Sequence, residues 1–397
     1  MRKLAATYLF TGRGEPVRNS ILICDDKGTV LGIEHRGEAF REEAGIEYYS
    51  GMLVPGFVNA HCHLELSHLH KKIGEQTGLV TFLGEINRLR DFQQVDVQKA
   101  MQVADRRMWA GGIAAVGDVS NSGASLGIKQ KSKLHYYTFI EAFGVHPSRA
   151  ERAFNRAVQL QNEFEENNLP ASIVPHSAYS VSDPLFRKIE KRAEQSNGIV
   201  SIHNQESPAE QQFVAHGTGP LADHFQHKLK LDIAHWTGTG NGSLHRILAS
   251  LPKENKLLLV HNTYTNEADL VHLKANRNLD KTWLVLCPNS NLYIENALPP
   301  VSLFQESGLN ICLGTDSLAS NHQLSILDEM ITLQQHFGEL KLEELLTWAC
   351  INGANALGME AELGSFEAGK NPGVNLISGL DLKNLKLTKN SRVKRLL

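Results

Sequence analysis

The chain has 397 residues, 42% apolar, 21% charged and 7% aromatic, a globular composition too large for one small module. At roughly 100–200 residues per domain it holds several domains, or one α/β barrel of about 250 residues with a smaller companion. Forty Lys and Arg against 43 Asp and Glu leave a formal charge of −3, without the basic excess that grips a phosphate backbone, so no nucleic-acid partner is expected.

The opening MRKLAATYLFTGRG breaks into glycines and charges before a signal core or a span of about 20 apolar residues can form. It reads as a first β-strand, with no membrane partner. Five cysteines (Cys24, Cys62, Cys287, Cys312, Cys350) are an odd number without a CxxC pair, which argues against a disulfide framework and for a reducing cytoplasm.

Residues 1–55 alternate short apolar runs with turn signals (TGRGEP, CDDKGT, HRGE), the pattern of small antiparallel strands. From Gly56 the pattern changes to apolar runs separated by amphipathic segments, the βα signature of a parallel sheet. Eight runs are predicted as strands: 56–63, 114–121, 136–144, 171–178, 198–206, 256–263, 282–290 and 310–317. Eight points to a closed (β/α)8 TIM barrel. VQKAMQVADRRMWAGG and DPLFRKIEKRAEQSNG read as helices between them, and LDEMITLQQHF and LEELLTWACINGANALGM as two more after the last strand. The tail returns to strand-like pieces, VNLISGL and LKNLKLT. The expected fold class is therefore α/β, with a barrel over 56–363 and a small β-sandwich domain built from 1–55 and 364–397.

Eighteen histidines make their placement informative, because histidine is the commonest metal ligand. The predicted strands end in His61-Cys62-His63, His176, His203 followed by Glu206, His261, and Asp316. Strand C-termini are where βα loops open a barrel to solvent. His61 and His63, two apart on a strand, project to one face and can share an ion. Taken alone, His203 or His261 reads as a core histidine bonded to a carbonyl, and Asp316 equally as a helix N-cap. Together they leave several polar groups at one rim, and a shared cation satisfies all of them. Imidazoles with one carboxylate suit zinc or another borderline divalent ion, with room for a water. Cys62 faces away from its flanking histidines, and Cys287 and Cys312 lie inside strands; all three read as packing residues.

The runs VPGFVNAHCHLELSH, VPHSAYSVS, VSIHNQES, LLVHN, LCPNSNLYI and LGTDSLAS, followed by LEELLTWACINGANALGM and GSFEAGKNPGVNLI, resemble the amidohydrolase superfamily over about residues 50–377. The branch is that of cytosine deaminase, guanine deaminase and the chlorotriazine hydrolases. Leu64-Glu65-Leu66-Ser67 after the first strand resembles the corresponding run of aminodeoxyfutalosine deaminases. The tail departs from the family in reading Gly369-Lys370-Asn371-Pro372-Gly373 where relatives usually have Gly-Lys followed by Ala-Asp.

The resemblance implies that His61, His63, His203 and Asp316 bind one catalytic divalent ion, zinc first and iron second. It implies that Glu206 shuttles protons, that His261 steadies the attacking hydroxide, that Asp316 takes its proton, and that His176 contacts substrate. No lysine occurs in ASIVPHSAYS, so the carbamylated-lysine bridge of binuclear members is not expected. Glu65 reads as a substrate contact or as a partner of a ligand histidine. Substrate choice is assigned to the loops 65–90 and 289–300, where Asn289 and Asn291 read as ring-edge contacts or as turn residues.

The expected function is hydrolytic deamination of an aminopurine-type nucleoside or related amino-heterocycle. The alternatives are hydrolysis of an imidazolone-type cyclic amide or of a chloro-heterocycle, and, in a different class, an inactive metal-binding scaffold. The expected partner is a small heterocyclic substrate, with homo-oligomerisation through the barrel helices left open.

Overall fold

The computed structural model describes residues 1–41, 43–89 and 94–397. Its strands in chain order are β1 Arg2–Leu9, β2 Ser20–Cys24, β3 Val30–His35, β4 Ile46–Pro55, β5 Phe57–Cys62, β6 Ile113–Ser120, β7 His135–Ala142, β8 Ala171–Pro175, β9 Val200–Asn204, β10 Leu257–His261, β11 Thr282–Leu286, β12 Asn310–Leu313, β13 Val374–Ser378 and β14 Arg392–Arg395.

Both ends of the chain contribute to one six-stranded sheet of order β14-β13-β4-β1-β2-β3. The antiparallel expectation holds for β1 with β2 and β2 with β3 but fails for β4, which lies parallel to β1 with Lys3 opposite Ile46. β3 ends opposite Ser20 of β2 and β4 begins at Ile46 opposite Lys3, at the start of β1, so β4 enters in the same direction. LKNLKLT also departs from expectation. The Asp381 carboxylate accepts the Lys383 and Asn384 amides at 3.0 and 3.1 Å, closing an Asx-type turn. The last strand is β14 instead. Lys370 and Pro372 of the unusual tail run accept the Val30 and Gly56 amides, stitching the tail to the first residues of the chain.

Each of the eight strands expected from the apolar runs forms, β5 to β12. They do not make one continuous sheet. They make two four-stranded parallel sheets, β5-β6-β7-β8 and β12-β11-β10-β9. The two meet at both edges through single parallel bridges, Cys62 with Asp316 and Ser177 with His203. Apolar side chains between the sheets (Val58, Ala60, Phe139, Val174, Val260, Val285, Cys287, Cys312) form one buried cluster, and the opposite strand faces pack on the helices in a second. Cys62 belongs to the helix side, as expected, and all five cysteines are buried and free.

The helices Gln94–Ala110, Asp183–Ser196 and Ile326–His336 follow the periodicity. LEELLTWACINGANALGM is helical with a π-turn over Trp348–Asn352. Residues 289–300 are not simply a loop: Pro288 at the first turn and left-handed Asn296 at the C-cap enclose the helix Pro288–Glu295. Among the described residues, no helix is long and apolar enough to cross a membrane.

Candidate active site

Polar side chains gather where the two half-sheets meet. Val58 and Ala60 of β5 face the space between the sheets, so strict alternation would aim Cys62 inward as well. The pairing with β6 shifts register between Asn59 and Cys62, and such an irregularity re-aims side chains. His61 and His63 take the inner face instead. Across the seam, Thr315 and Asp316 donate backbone N–H groups to the His61 carbonyl at 3.0 and 3.1 Å. That approach depends on Gly314, where an added Cβ would lie 2.9 Å from both Cys287 Sγ and His61 Cβ.

His63 Nε2 lies 3.1 Å from His61 Nε2 and 3.2 Å from His203 Nε2. The His203 ring gives its Nδ1 proton to the His176 carbonyl at 2.7 Å, so its Nε2 carries a lone pair. The His61 ring is not fixed in the same way: its buried Nδ1 has no hydrogen-bond partner among the described residues. Asp316 Oδ1 stands 3.5 Å from His63 Nε2 and 3.7 Å from His61 Nε2. Asp316 Oδ2 is fixed by the Ser290 and Ser320 hydroxyls, both at 2.6 Å. Two overlapping groups, His61–His63–Asp316 and His61–His203–His261, each present ligand atoms within 4.8 Å of one another. A divalent cation fits this donor set, because it would take the lone pairs of His203 Nε2 and of His261 Nε2, which has no hydrogen-bond partner, beside the Asp316 carboxylate. Burial pushes His61 down to about 4 and His203 well below its usual range, which keeps the rings neutral as ligands must be.

The groups beside the cluster are pushed in opposite directions. Burial, and then the Asp316 charge, hold Glu206 well above the usual carboxylate range. Burial would raise Asp316 too, but His61, His63 and His261 hold it well below. Two carboxyl groups separated in this way divide into a proton donor and an ionised acceptor. His261 gives its Nδ1 proton to Asn291 Oδ1 at 2.8 Å, leaving a buried Nε2 with no hydrogen-bond partner, 3.6 Å from Glu206 Oε1. Gln205, His261, Asn262 and Asp316 all adopt positive φ, a conformation that costs about 1–3 kcal/mol each and clusters at functional sites. Asp316 is not a helix N-cap; that position belongs to Ser325.

The remaining predicted residues divide. His176 lies against His203, ring centroids 4.7 Å apart, and bonds Glu141 Oε1 through Nδ1 at 2.6 Å. Glu141 itself was not singled out from the sequence. Its signal is a lone carboxylate at the end of an otherwise apolar run. Glu141, His176 and His203 could together face an ion, yet the Nδ1 protons of both rings are already placed by Glu141 and by the His176 carbonyl. Glu65 bonds the Asn121 amide and the Ser122 hydroxyl at 3.0 and 2.8 Å, and burial raises it to about 7. No ligand histidine is its partner in these bonds. The Asn289 side chain accepts from Thr332 at 2.7 Å, on the helix Ile326–His336, and it is Asn291 that reaches His261. Arg90, the last residue of the loop assigned to substrate choice, lies outside the described residues.

The family model described as the amidohydrolase family matches residues 52–395. An adenosine deaminase of Helicobacter pylori is 28% identical over 327 residues, 81% of this chain and 78% of that protein. An aminodeoxyfutalosine deaminase of Nitratiruptor is 26% identical over 336 residues, covering 83% of this chain and 79% of that protein. In fold, the chain is similar to the crystal structure of Helicobacter pylori aminofutalosine deaminase in complex with methylthio-coformycin, with a TM-score of 0.83, 22% identity and full coverage of both chains.

Proposed function

The chain belongs to the amidohydrolase family, and on that premise we propose that it is a metal-dependent deaminase of an aminopurine-type nucleoside, with aminodeoxyfutalosine-like nucleosides the first class to test. The two half-sheets are read as the halves of a (β/α)8 barrel over residues 56–363, with 1–55 and 364–397 as the small β-domain. The observation that carries the reading is the convergence of the His61, His63 and His203 Nε2 atoms beside the Asp316 carboxylate, with Glu206 and His261 next to them.

His61, His63, His203 and Asp316 would hold one divalent ion, and three imidazoles with a carboxylate favour zinc. Bound there, the ion supplies a water acidified from 15.7 toward about 7, a nucleophile available at neutral pH. The ionised Asp316 would take one proton of that water, while His261, its ring fixed by Asn291, would accept a hydrogen bond from it at Nε2. Glu206 delivers a proton to the ring nitrogen next to the attacked carbon, which makes that carbon electrophilic. His261 Nε2 would then accept a hydrogen bond from the hydroxyl on the tetrahedral carbon and hold it in place. Asp316 would pass the proton it took from the water to the exocyclic amine, Glu206 would recover a proton from the new hydroxyl, the C–N bond breaks, and the products are an oxo-heterocycle and ammonia. His176 is placed beside His203 to contact the substrate ring.

One observation favours deamination over the other leaving groups: the curated relatives reported above are deaminases; burial, which raises Glu206, suits it to protonate a ring nitrogen. The test is Glu206→Gln with ammonia scored over a panel of aminopurine nucleosides. Metal content should hold while turnover falls at least about 10²–10⁴-fold. Loss of the metal as well would make Glu206 a ligand and overturn its role. Chloride or a ring-opened acid in place of ammonia would overturn deamination.

A further inference from the structure

Ser207-Pro208-Ala209-Glu210 begins the helix Pro208–His216 and has the S-x-x-E spacing of a capping box. Half of that box is present: the Ser207 hydroxyl accepts the Glu210 amide at 3.1 Å. In an ordinary box the glutamate returns to the N-cap amide. Here it overshoots. Glu210 Oε1 accepts the Gln205 amide at 2.9 Å and Oε2 the Glu206 amide at 2.8 Å, both upstream of the cap. Glu210 is fully buried, and Gln205 is held at φ +50. Among the described residues, the Glu206 carboxyl makes no hydrogen bond of its own that would fix it; His261 Nε2 lies 3.6 Å from its Oε1. The direction of the Glu206 side chain therefore depends on its backbone, and Glu210 fixes that backbone with one carboxylate oxygen on each of two successive amides.

We propose that Glu210 is a positioning residue, acting on proton transfer through the Gln205 and Glu206 amides it clasps. The inference rests on the assignment of Glu206 as the proton donor. Glu210→Gln replaces one accepting oxygen with an NH2 group that cannot accept an amide proton, so one of the two amides is released. A displacement of about 1 Å at a reacting group costs on the order of 100-fold. Glu210→Gln should lower kcat by about that factor while KM and metal content hold.

The decisive comparison uses the Glu206→Gln enzyme. There, adding Glu210→Gln should change the residual single-turnover rate by less than about two-fold, because groups that act as a unit are not additive. Ser207→Ala removes the cap of the same helix and should lower the unfolding temperature with kcat nearly unchanged. If Glu210→Gln does not fold, Glu210→Asp, one methylene too short to hold both amides, is judged by the same criteria. An unchanged kcat, a full repeat of the loss in the Glu206→Gln background, or an equal loss in Ser207→Ala would each overturn the clamp alone. Undiminished turnover in Glu206→Gln would overturn the proton-donor assignment and the clamp with it.

Discussion

Two buried polar clusters lie on either side of His63, and they differ in one respect. Lys129 and Asp118, both fully buried, form an ion pair at 2.6 Å. The other two ammonium protons of Lys129 go to Ser120 and Thr138 at 3.0 and 3.1 Å, and Asp118 Oδ1 accepts the Leu64 amide at 2.8 Å. An ammonium has three donors, and here all three are used. The histidine cluster is buried too, yet its Nε2 atoms converge within 3.2 Å of His63 Nε2, and His261 Nε2 has no hydrogen-bond partner. One cluster is complete with its own protons; the other leaves a buried acceptor that a cation would satisfy. Burial of charge does not separate structure from function in this molecule, whereas the balance of donors and acceptors does.

The largest effect expected from breaking this contrast is metal removal. Chelation should take turnover to background and lower the unfolding temperature, since a bound ion at a hundredfold its Kd contributes about 2.7 kcal/mol. Turnover that survives complete metal removal would undo the contrast. Lys129→Met should act on stability instead. An unpaired buried Asp118 costs about 3–5 kcal/mol in urea unfolding, and the neutral pair Lys129→Met/Asp118→Asn should recover part of it. A single variant within about 0.5 kcal/mol of the wild type would show that the pair is not what holds that region.

Smaller effects sharpen the picture. Asn291→Ala leaves His261 Nδ1 without its acceptor and should reduce kcat by about 10–100-fold with metal retained. Equal activity would remove His261 from the chemistry. Glu329 offers a pH test away from the metal ligands. Burial raises it from the ordinary 4.5 to about 8, against the hydrogen bonds it accepts from Asn289 and Asn321. Between those values the folded chain keeps a proton that the unfolded chain has released. Its contribution is therefore full below pH 4.5 and is lost as pH rises through 8. Glu329→Gln should flatten that decline, as read from urea midpoints across the range.

Much of this was legible before any coordinates. The eight apolar runs became β5 to β12, because a strand buried on both faces must be apolar along its length. The polar residues at their ends stood out for the same reason. What the residues did not disclose depended on backbone geometry. The parallel placement of β4 depends on where a hairpin returns the chain, and the helix at Pro288–Glu295 on a proline and a left-handed asparagine read as loop signals. Glu141 and Glu210 escaped notice because a single glutamate after an apolar run, or at a helix start, is ordinary in sequence. Only distances of 2.6 to 2.9 Å reveal what each one holds.

Side chains from three strand ends, His61 and His63, His203, and Asp316, would together hold the proposed cation. The most direct test is the metal content of the purified protein beside His203→Ala, measured by inductively coupled plasma mass spectrometry. About one divalent ion per chain in the wild type, lost with His203, is the predicted result. Equal metal in both proteins, or none in a wild type that still deaminates, would contradict it.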